Sequence, residues 1–403
     1  MTTVERAGQR AEVGRQVELN YYSGEGEPMG FLEMIDDLRA SHNYYWSTYA
    51  QGFWVLTDMD GIREALQHPE IFSNTAAVAT DPEPEYSWIP EMLDPPIHTK
   101  WRQNLAPFFA PGRMAQLEDR VRQRCVEIIE GFADQGHCDL RLDFGDRYPT
   151  SIFLELMGIP VEEIDQFMVW ENGILNTPAE IDPDRAIAIG AMNDTMSYFA
   201  GVIKERRKDP KDDLVSIALT WEIDGKPIPE PDLLSMCLLM FMAGLDTVAC
   251  QLAWSFYHLA QTPKDREWIV NDPSIIPAAI EEFLRAYTIV RPSRKVMEDI
   301  DFHGCPMKKG DMVFVPLAGA CRDPKVFEDA DQVILDRAPN NHIAFGAGPH
   351  RCVGSHLARR ELRVAFEEWH KRIPNYRLAE GAEIKEYGGA ELGIVSVPLV
   401  WDV

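Results

Sequence analysis

The segment Phe345 to Glu361 contains a cysteine in a glycine-rich turn that leads into a helix-forming pattern. It reads FGAGPHRCVGSHLARRE, with Cys352 lying between Gly348 and Gly354. The start of a helix stabilises negative charge, so a thiolate placed there can bind a metal ion. Glycines let the backbone approach a large flat group that side chains would keep away. The segment therefore suits a cysteine that acts as a metal ligand.

Two other interpretations of this segment stay open on the cysteine alone. A single cysteine is most often a small buried apolar side chain. A glycine-rich turn before a helix can also hold a phosphate, although the GxxxxGK[ST] spacing of that kind of site is missing here. Metal binding by Cys352 thus needs support from other parts of the chain.

A second chemical feature, AGLDT, lies inside the longest apolar segment. Residues 232–260 are apolar on almost every side, which predicts a buried helix about 44 Å long. In it, Gly244 weakens the helix, and Asp246 is costly to bury unless it is paired. The hydroxyl of Thr247 can bond to the carbonyl of Ala243 and bend the helix. Either Gly244 allows close packing and Asp246 pairs with a buried arginine, or this is a site that receives O2 and handles protons.

Two pairs of charged residues have spacings that place them on one helix face. Glu282 and Arg285, in EEFLR, are three residues apart, whereas His98 and Arg102, in DPPIHTKWR, are four apart. Each pair alone is compatible with an ordinary surface position, where such pairs contribute little to stability.

Together these motifs resemble the cytochrome P450 superfamily, in its soluble bacterial class, and the camphor hydroxylase branch in particular. The pattern FGxGxHxCxG resembles the haem-binding loop, AGLDT the acid–alcohol pair and EEFLR the ExxR motif, all in the family's order. The resemblance extends from DPPIHTKWR to the closing IVSVPLVWDV, with a small departure at Cys321, where asparagine is common. It implies one domain, residues 1–403, mainly α with a minor β-sheet. In this fold the haem lies between the long central helix and the helix that follows Cys352.

The resemblance also implies roles for individual residues. Cys352 would be the axial ligand of the haem iron, and Asp246 and Thr247 would be the catalytic pair that delivers protons. Eight residues are expected to bind the haem: His98, Arg102, Gly244, Arg294, Phe345, Gly346, His350 and Gly354. Four of them, His98, Arg102, Arg294 and His350, would bind its propionates. Those expected to brace the haem loop are Glu282, Arg285 and Arg337. Those expected to line the substrate pocket are Trp88, Ile89, Met92, Leu239, Met240, Ala243, Val290 and Pro292.

The implied reaction inserts one oxygen atom of O2 into a C–H bond, or a C=C bond, of an apolar molecule such as a terpenoid or a fatty-acyl-like compound. The implied cofactors are haem b (iron protoporphyrin IX) and O2, with electrons from NAD(P)H through a ferredoxin reductase and a ferredoxin. Two alternatives remain: a haem-thiolate gas sensor or carrier without catalysis, and a peroxide-using or NO-reducing enzyme on the same fold. The intact pair of Asp246 and Thr247 argues against peroxide use.

Composition limits the partners and the compartment. The 403 residues carry a formal charge of −26, which argues against general nucleic-acid binding. A polar N-terminal segment and the lack of a membrane-spanning apolar run predict a cytoplasmic protein without a membrane anchor, expected as a monomer. Seven scattered cysteines without a CxxC pair favour a reducing compartment. The arginines Arg351, Arg359, Arg360 and Arg363 form either a solvated helix face or a docking site for an acidic ferredoxin near the proximal face.

Apolar periodicity predicts the order of the elements. A strand is expected within 51–60, then a short helix over 60–68 and a long loop over 74–96. Helices are expected over 113–135, 149–158, 161–176, 185–207, 232–260 and 276–287, and from the cysteine loop to about 371. Short strands are expected over 294–303 and 311–316. Residues 167–182 are expected to form a lid over the substrate pocket.

Overall fold

The computed structural model describes residues 15–20, 26–175, 177, 181–182 and 184–403. Its α-helices, in chain order, are α1 (Gly30–Ser41), α2 (Met59–Gln67), α3 (Ile97–Leu105), α4 (Pro111–Gln116), α5 (Glu118–Glu130), α6 (Arg147–Met157), α7 (Ile164–Leu175), α8 (Ala186–Arg206), α9 (Leu214–Ala218), α10 (Glu230–Gln261), α11 (Pro263–Asn271), α12 (Ile276–Ala286), α13 (Leu317–Cys321) and α14 (Ser355–Arg372). A π-helical turn, Leu140–Gly145, precedes α6. Most of the polar segment 1–16 and part of the lid expected over 167–182 lie outside the described residues.

The strands are short, with two to four residues each. They are β1 (Gln16–Val17), β2 (Tyr44–Ser47), β3 (Phe53–Leu56), β4 (Phe72–Ser73), β5 (His137–Asp139), β6 (Glu222–Ile223), β7 (Lys226–Pro227), β8 (Ser293–Val296), β9 (Ile300–Phe302), β10 (Cys305–Met307), β11 (Met312–Phe314), β12 (Arg377–Leu378), β13 (Glu386–Tyr387), β14 (Gly393–Ile394) and β15 (Pro398–Val400). The largest sheet has the order β1-β2-β3-β11-β8-β4. Its β1–β2 and β3–β11 pairs are parallel, and its other pairs are antiparallel.

The smaller sheets connect distant parts of the chain. Strand β15 pairs with both β12 and β5, so the C-terminal segment closes onto residues 137–139. Strands β13 and β14 form an antiparallel hairpin in which Tyr387 lies opposite Gly393. The predicted class, mainly α with a minor β-sheet, is confirmed.

Helix α10 runs through the middle of the protein. It packs against α6, α7, α8, α12, α14, the π-helical turn and β14, because apolar side chains cover almost all of its surface. It is long and apolar enough to cross a membrane, but 67% of its most apolar stretch is buried inside the protein, as in a core helix. The prediction of a buried central helix over 232–260 is confirmed.

One predicted helix is divided in two. The segment predicted as a single helix over 113–135 forms α4 and α5, with a turn at Leu117 between them. Pro111 begins α4, and the acidic residues Glu118 and Asp119 begin α5, where the positive end of the helix dipole favours them. Periodicity alone did not reveal this break, because apolar residues continue through it.

Candidate active site

Two glycines with left-handed backbone shape the loop before α14. Gly346 has φ 75° and Gly348 has φ 69°, a region that only glycine adopts at little cost. A Cβ atom at Gly348 would overlap the carbonyl of Leu66, so the loop lies directly against the end of α2. The N–H of Cys352 donates to the carbonyl of Phe345 at 2.8 Å. These contacts fix Cys352 three residues before the start of α14.

Cys352 faces a cavity of about 380 Å³. It is exposed, whereas the other six cysteines are buried. Although the residue is open to the cavity, desolvation by the surrounding protein raises the pKa of the Cys352 thiol, and the N–H of Gly354 and the charge of Arg102 oppose that change. The N–H at the helix start thus favours the thiolate, as the sequence indicates, but it does not outweigh the desolvation. A thiolate here needs the positive charge of a metal ion to stabilise it.

The AGLDT segment of α10 contributes three residues to the same cavity: Ala243, Gly244 and Thr247. The Thr247 hydroxyl donates to the carbonyl of Ala243 at 3.0 Å, as predicted. A Cβ atom at Gly244 would lie 3.3 Å from the ring of Phe153, so close packing is one reason for the glycine. Helix α10 continues without a break through this segment.

Asp246 is buried, 1% exposed, and is not among the residues that line the cavity. Its carboxylate accepts a hydrogen bond from the guanidinium of Arg141, which also contacts Asp146 at 2.6 Å. The hydroxyl of Tyr387 donates to Asp246 at 3.2 Å from Oδ1 and 3.3 Å from Oδ2. In this structure Asp246 therefore pairs with a buried arginine, which is one of the two interpretations drawn from the sequence. A catalytic role for Asp246 requires its carboxylate to leave at least one of these partners.

Four basic side chains line one part of the cavity: His98, Arg102, Arg294 and His350. The rings of His98 and His350 stack with their centroids 3.9 Å apart. Arg102 donates to the carbonyl of Arg351 at 2.6 Å, and Arg294 donates to the carbonyl of Ser293 at 2.7 Å. Burial lowers the pKa of both arginines. The structure therefore brings together the four residues predicted to bind propionates.

These residues fit a haem. Among the described residues, the buried Nδ1 of His98 has no hydrogen-bond partner, and the buried guanidinium of Arg294 and the half-buried one of Arg102 lie in the same region. Anionic propionates would supply the acceptors that these groups need. Phe345, Gly346 and Gly354, all predicted haem contacts, line the cavity beside Cys352. The donor set of one thiol, two arginines and two histidines is thus suited to an iron porphyrin.

Most of the predicted substrate-pocket residues line this cavity. They are Trp88, Leu239, Met240, Ala243, Val290 and Pro292. Ile89 and Met92 are not among the residues that line it in this structure, and a substrate contact by these two residues stays a prediction. Ile89 packs in the core cluster that includes Trp101. The sulfur of Met92 turns back to its own segment, where the N–H of Trp88 lies 3.4 Å away.

The predicted bracing group is present. Glu282 and Arg285 are both fully buried, and the Nε atom of Arg285 donates to Glu282 at 2.8 Å. Arg337 donates to the same carboxylate at 3.0 Å. Arg285 also donates to the carbonyls of Cys321 and Ala330. This group ties α12 to the chain segment that leads into the cysteine loop.

The arginines after Cys352 are largely engaged in ion pairs. Arg359 binds Glu281 at 2.6 Å, and Arg360 and Arg363 both bind Glu118. Their charge is therefore partly neutralised within the protein.

Sequence reasoning missed several polar residues around Asp246. They are Arg141, Glu171, Tyr387 and Glu391, of which Glu391 lines the cavity. Glu171, in α7, is 3% exposed, and its Oε1 has no partner among the described residues. A carboxylate within the apolar sequence FMVWENGIL was the one available signal. Tyr387 and Arg141 gave none, because they lie more than a hundred residues away from Asp246 in the chain.

One cavity is lined by the Cys352 thiol before a helix, by Thr247 on the buried central helix and by the four basic side chains described above. This arrangement is that of a haem-thiolate oxygenase. Comparison with known proteins agrees. The family model described as cytochrome P450 matches residues 270–369. The chain is 34% identical over 354 residues to the probable cytochrome P450 127A1 of Sinorhizobium fredii, covering 87% of this chain and 84% of that protein.

Two further relatives extend the comparison. The mycinamicin IV hydroxylase/epoxidase of Micromonospora griseorubida is 30% identical over 88% of this chain and 90% of its own length. The crystal structure of CYP101J2 superposes with a TM-score of 0.88 at 29% identity, over 96% of this chain and 97% of that one. The chain therefore belongs to the cytochrome P450 family and is a P450 monooxygenase. The expected likeness to the camphor hydroxylase branch is confirmed.

Proposed function

We propose that this P450 inserts one oxygen atom of O2 into a C–H or C=C bond of an apolar small molecule, such as a terpenoid or a fatty-acyl-like compound. The observation that carries the proposal is that Cys352 and Thr247 line one cavity whose other walls are mainly apolar. Trp88, Leu239 and Val290 form part of these walls. A cavity of this composition binds ligands by removing apolar surface from water.

Each residue of the site has a different role, which follows from its position. Cys352 would ligate the iron, while Arg102, Arg294, His98 and His350 would hold the propionates. When bound, the haem supplies the activation of O2. Thr247 holds a hydroxyl at the cavity surface, and Asp246 is the carboxylate from which protons would reach it. The apolar walls exclude water and orient the substrate.

Electrons would come from NAD(P)H through a ferredoxin reductase and an acidic ferredoxin that docks near the helix after Cys352. In support, Arg351 is exposed beside the cysteine, although Arg359, Arg360 and Arg363 are ion-paired. The protein would act in the cytoplasm as a monomer.

Two measurements test the proposal. The reduced CO complex should show the Soret position of a thiolate ligand, and Cys352→Ala should lose it while Cys321→Ala keeps it. A Soret band at the position of a histidine-ligated haem would refute thiolate ligation. A screen of terpenoids, fatty acids and small aromatics for spin-state shifts should then give tightest binding for apolar ligands, followed by product analysis with a ferredoxin system. Turnover with peroxide but not with reduced ferredoxin would overturn the proposed electron supply.

A further inference from the structure

The hairpin β13–β14 holds the ring of Tyr387 in a fixed orientation. Tyr387 and Gly393 are paired across its two strands. A Cβ atom at Gly393 would overlap the phenol ring of Tyr387. The backbone of Gly393 is not in the left-handed region, so the glycine is required here for space and not for its backbone conformation. The ring lies in the room that the missing side chain leaves.

This orientation brings the Tyr387 hydroxyl to Asp246. The oxygen lies 3.2 Å and 3.3 Å from the two carboxylate oxygens of Asp246 and 3.2 Å from the sulfur of Cys250. Burial and the charge of Asp246 raise the pKa of Tyr387, so the phenol keeps its proton and donates it. Asp246 is consequently held from two sides, by Tyr387 from the hairpin and by Arg141 from the π-helical turn.

The turn of the same hairpin belongs to the cavity wall. Ala390 and Glu391 line the cavity. The carbonyl of Ala390 accepts from the N–H of Arg291 at 2.9 Å, and Leu392 donates to the carbonyl of Ile289 at 2.9 Å. Ile289 and Arg291 line the cavity as well. A molecule that fills this end of the cavity therefore touches the turn of a hairpin in which Tyr387, the strand residue next to that turn, binds Asp246.

We propose that Tyr387 is a positioning residue that holds the Asp246 carboxylate and links it to occupancy of the cavity end at Ala390 and Glu391. Asp246 itself does not line the cavity, whereas its neighbour Thr247 does. When substrate displaces the hairpin turn, the phenol of Tyr387 moves with it. The Asp246 carboxylate then loses its hydrogen bond from Tyr387 and turns toward Thr247. The hydrogen bond from Tyr387 is the contact that breaks, because Arg141 and Asp246 form an ion pair between two buried charges. This inference rests on the proton-delivering role proposed for Asp246.

The charged and titratable groups around Asp246 come from several elements. Arg141 and Asp146 flank it from the π-helical turn and the start of α6, Glu171 from α7, and Cys250 from α10 itself. Tyr387 and Glu391 approach from the hairpin. Of these, Tyr387 both contacts Asp246 and belongs to the hairpin that forms part of the cavity wall.

The test compares three variants of the haem-loaded protein. Tyr387→Phe removes the hydroxyl, and Gly393→Ala keeps the phenol but displaces the ring. Tyr45→Phe is the control. Tyr45 donates to the carbonyl of Leu38 at 2.8 Å, away from the site. In Tyr387→Phe and Gly393→Ala, substrate KM should stay within about twofold. Product formed per NAD(P)H consumed should fall by about tenfold, because the Asp246 carboxylate is then free before substrate fills the cavity, and a hydrogen bond to a charged group contributes about this factor or more to holding it. The solvent isotope effect on kcat should fall, because the carboxylate no longer has to be released, and Tyr45→Phe should match the wild type.

A second readout does not depend on turnover. The infrared band of Asp246, assigned by its loss in Asp246→Asn, should change on substrate binding in the wild type and stay unchanged in Tyr387→Phe. Wild-type coupling, isotope effect and band change in both hairpin variants would overturn the inference. If Asp246→Asn also keeps wild-type coupling and isotope effect, the proposed role of Asp246 fails. If Asp246→Asn is impaired and Tyr387→Phe is not, only the link through Tyr387 fails.

Discussion

The imidazole rings of His98 and His350 stack at 3.9 Å between centroids, with their planes inclined by 29°. Burial lowers the pKa of His98 to about 3, and the charges of His350 and Arg102 contribute. Without an anion beside it, His98 is therefore neutral at physiological pH, and its buried Nδ1 would offer a hydrogen bond to a propionate. The cationic charge at this end of the cavity comes from Arg102 and Arg294 instead.

Replacing His98 with phenylalanine should weaken haem binding. The new ring can still stack on His350, but the buried nitrogen that has no partner among the described residues is lost. Because one hydrogen bond to a charged group contributes about 1.5–3 kcal/mol, haem should dissociate about tenfold faster. Transfer of haem to excess apomyoglobin measures this rate. His68→Phe, at an exposed surface position, should match the wild type, and equal rates for all three proteins would contradict the prediction.

The two left-handed glycines of the cysteine loop should differ in their tolerance of alanine. Both substitutions place a side chain at positive φ, which costs about 1 kcal/mol. At Gly346 the new Cβ would lie 3.9 Å from its nearest neighbour, whereas at Gly348 it would overlap backbone atoms of Leu66 and Gln67. Gly348→Ala should therefore lower the free energy of unfolding by about 3 kcal/mol or more, beyond the usual effect of one substitution. Urea unfolding of the two haem-loaded variants checks this, and equal losses would show that the loop moves away from α2 at little cost.

Adjacent glutamates of α12 should differ strongly in their contribution to stability. Glu282 is fully buried and accepts from Arg285 and Arg337, so Glu282→Gln leaves buried arginine charge uncompensated, at a cost of about 3–5 kcal/mol. Glu281 is partly exposed and binds Arg359 and His342. Glu281→Gln should cost about 1 kcal/mol, because water screens the pair. Thermal unfolding with and without haem measures both, and a similar small loss for Glu282→Gln would contradict the bracing role.

Much of the fold could be predicted because the signal is local. The helices α6, α8, α10 and α12 begin and end within about two residues of their predicted limits. Each has apolar residues at helical spacing and a proline, glycine or polar break nearby. The cysteine loop was also predictable, since its glycines and its ligand are consecutive in sequence.

The surroundings of Asp246 were not predictable, because they depend on how distant elements pack. Arg141 comes well before Asp246 in the chain and Tyr387 comes well after it. Nothing in the sequence near residue 246 indicates either contact. The same reason applies to Met92, which does not line the cavity in this structure. An apolar residue in a long loop can face either the cavity or the core, and only the packed chain decides between these orientations.

His370 should make stability depend on pH through a group far from the cysteine loop. Its ring is buried in α14, where Nδ1 lies 2.8 Å from the carbonyl of Phe366 and Nε2 lies 3.1 Å from the hydroxyl of Tyr376. Burial lowers the pKa of His370 to about 4; the bond to Phe366 opposes this change, and the charge of Arg266 adds to it. In the unfolded chain the pKa is about 6.5. Between these two values the unfolded state binds a proton that the folded state excludes, so stability falls as the pH falls from about 6.5 to about 4.

The full difference between the two pKa values corresponds to about 3 kcal/mol. His370→Gln should be less stable than the wild type at pH 7 because its ring contacts are lost. Its deficit should shrink steadily toward pH 5, since the variant has no proton to exclude. Urea unfolding followed by tryptophan fluorescence at several pH values measures the deficit, with His137→Gln, at an exposed position, as the control. A deficit that stays constant from pH 7 to pH 5 would show that His370 takes up its proton in the folded state as readily as in the unfolded chain.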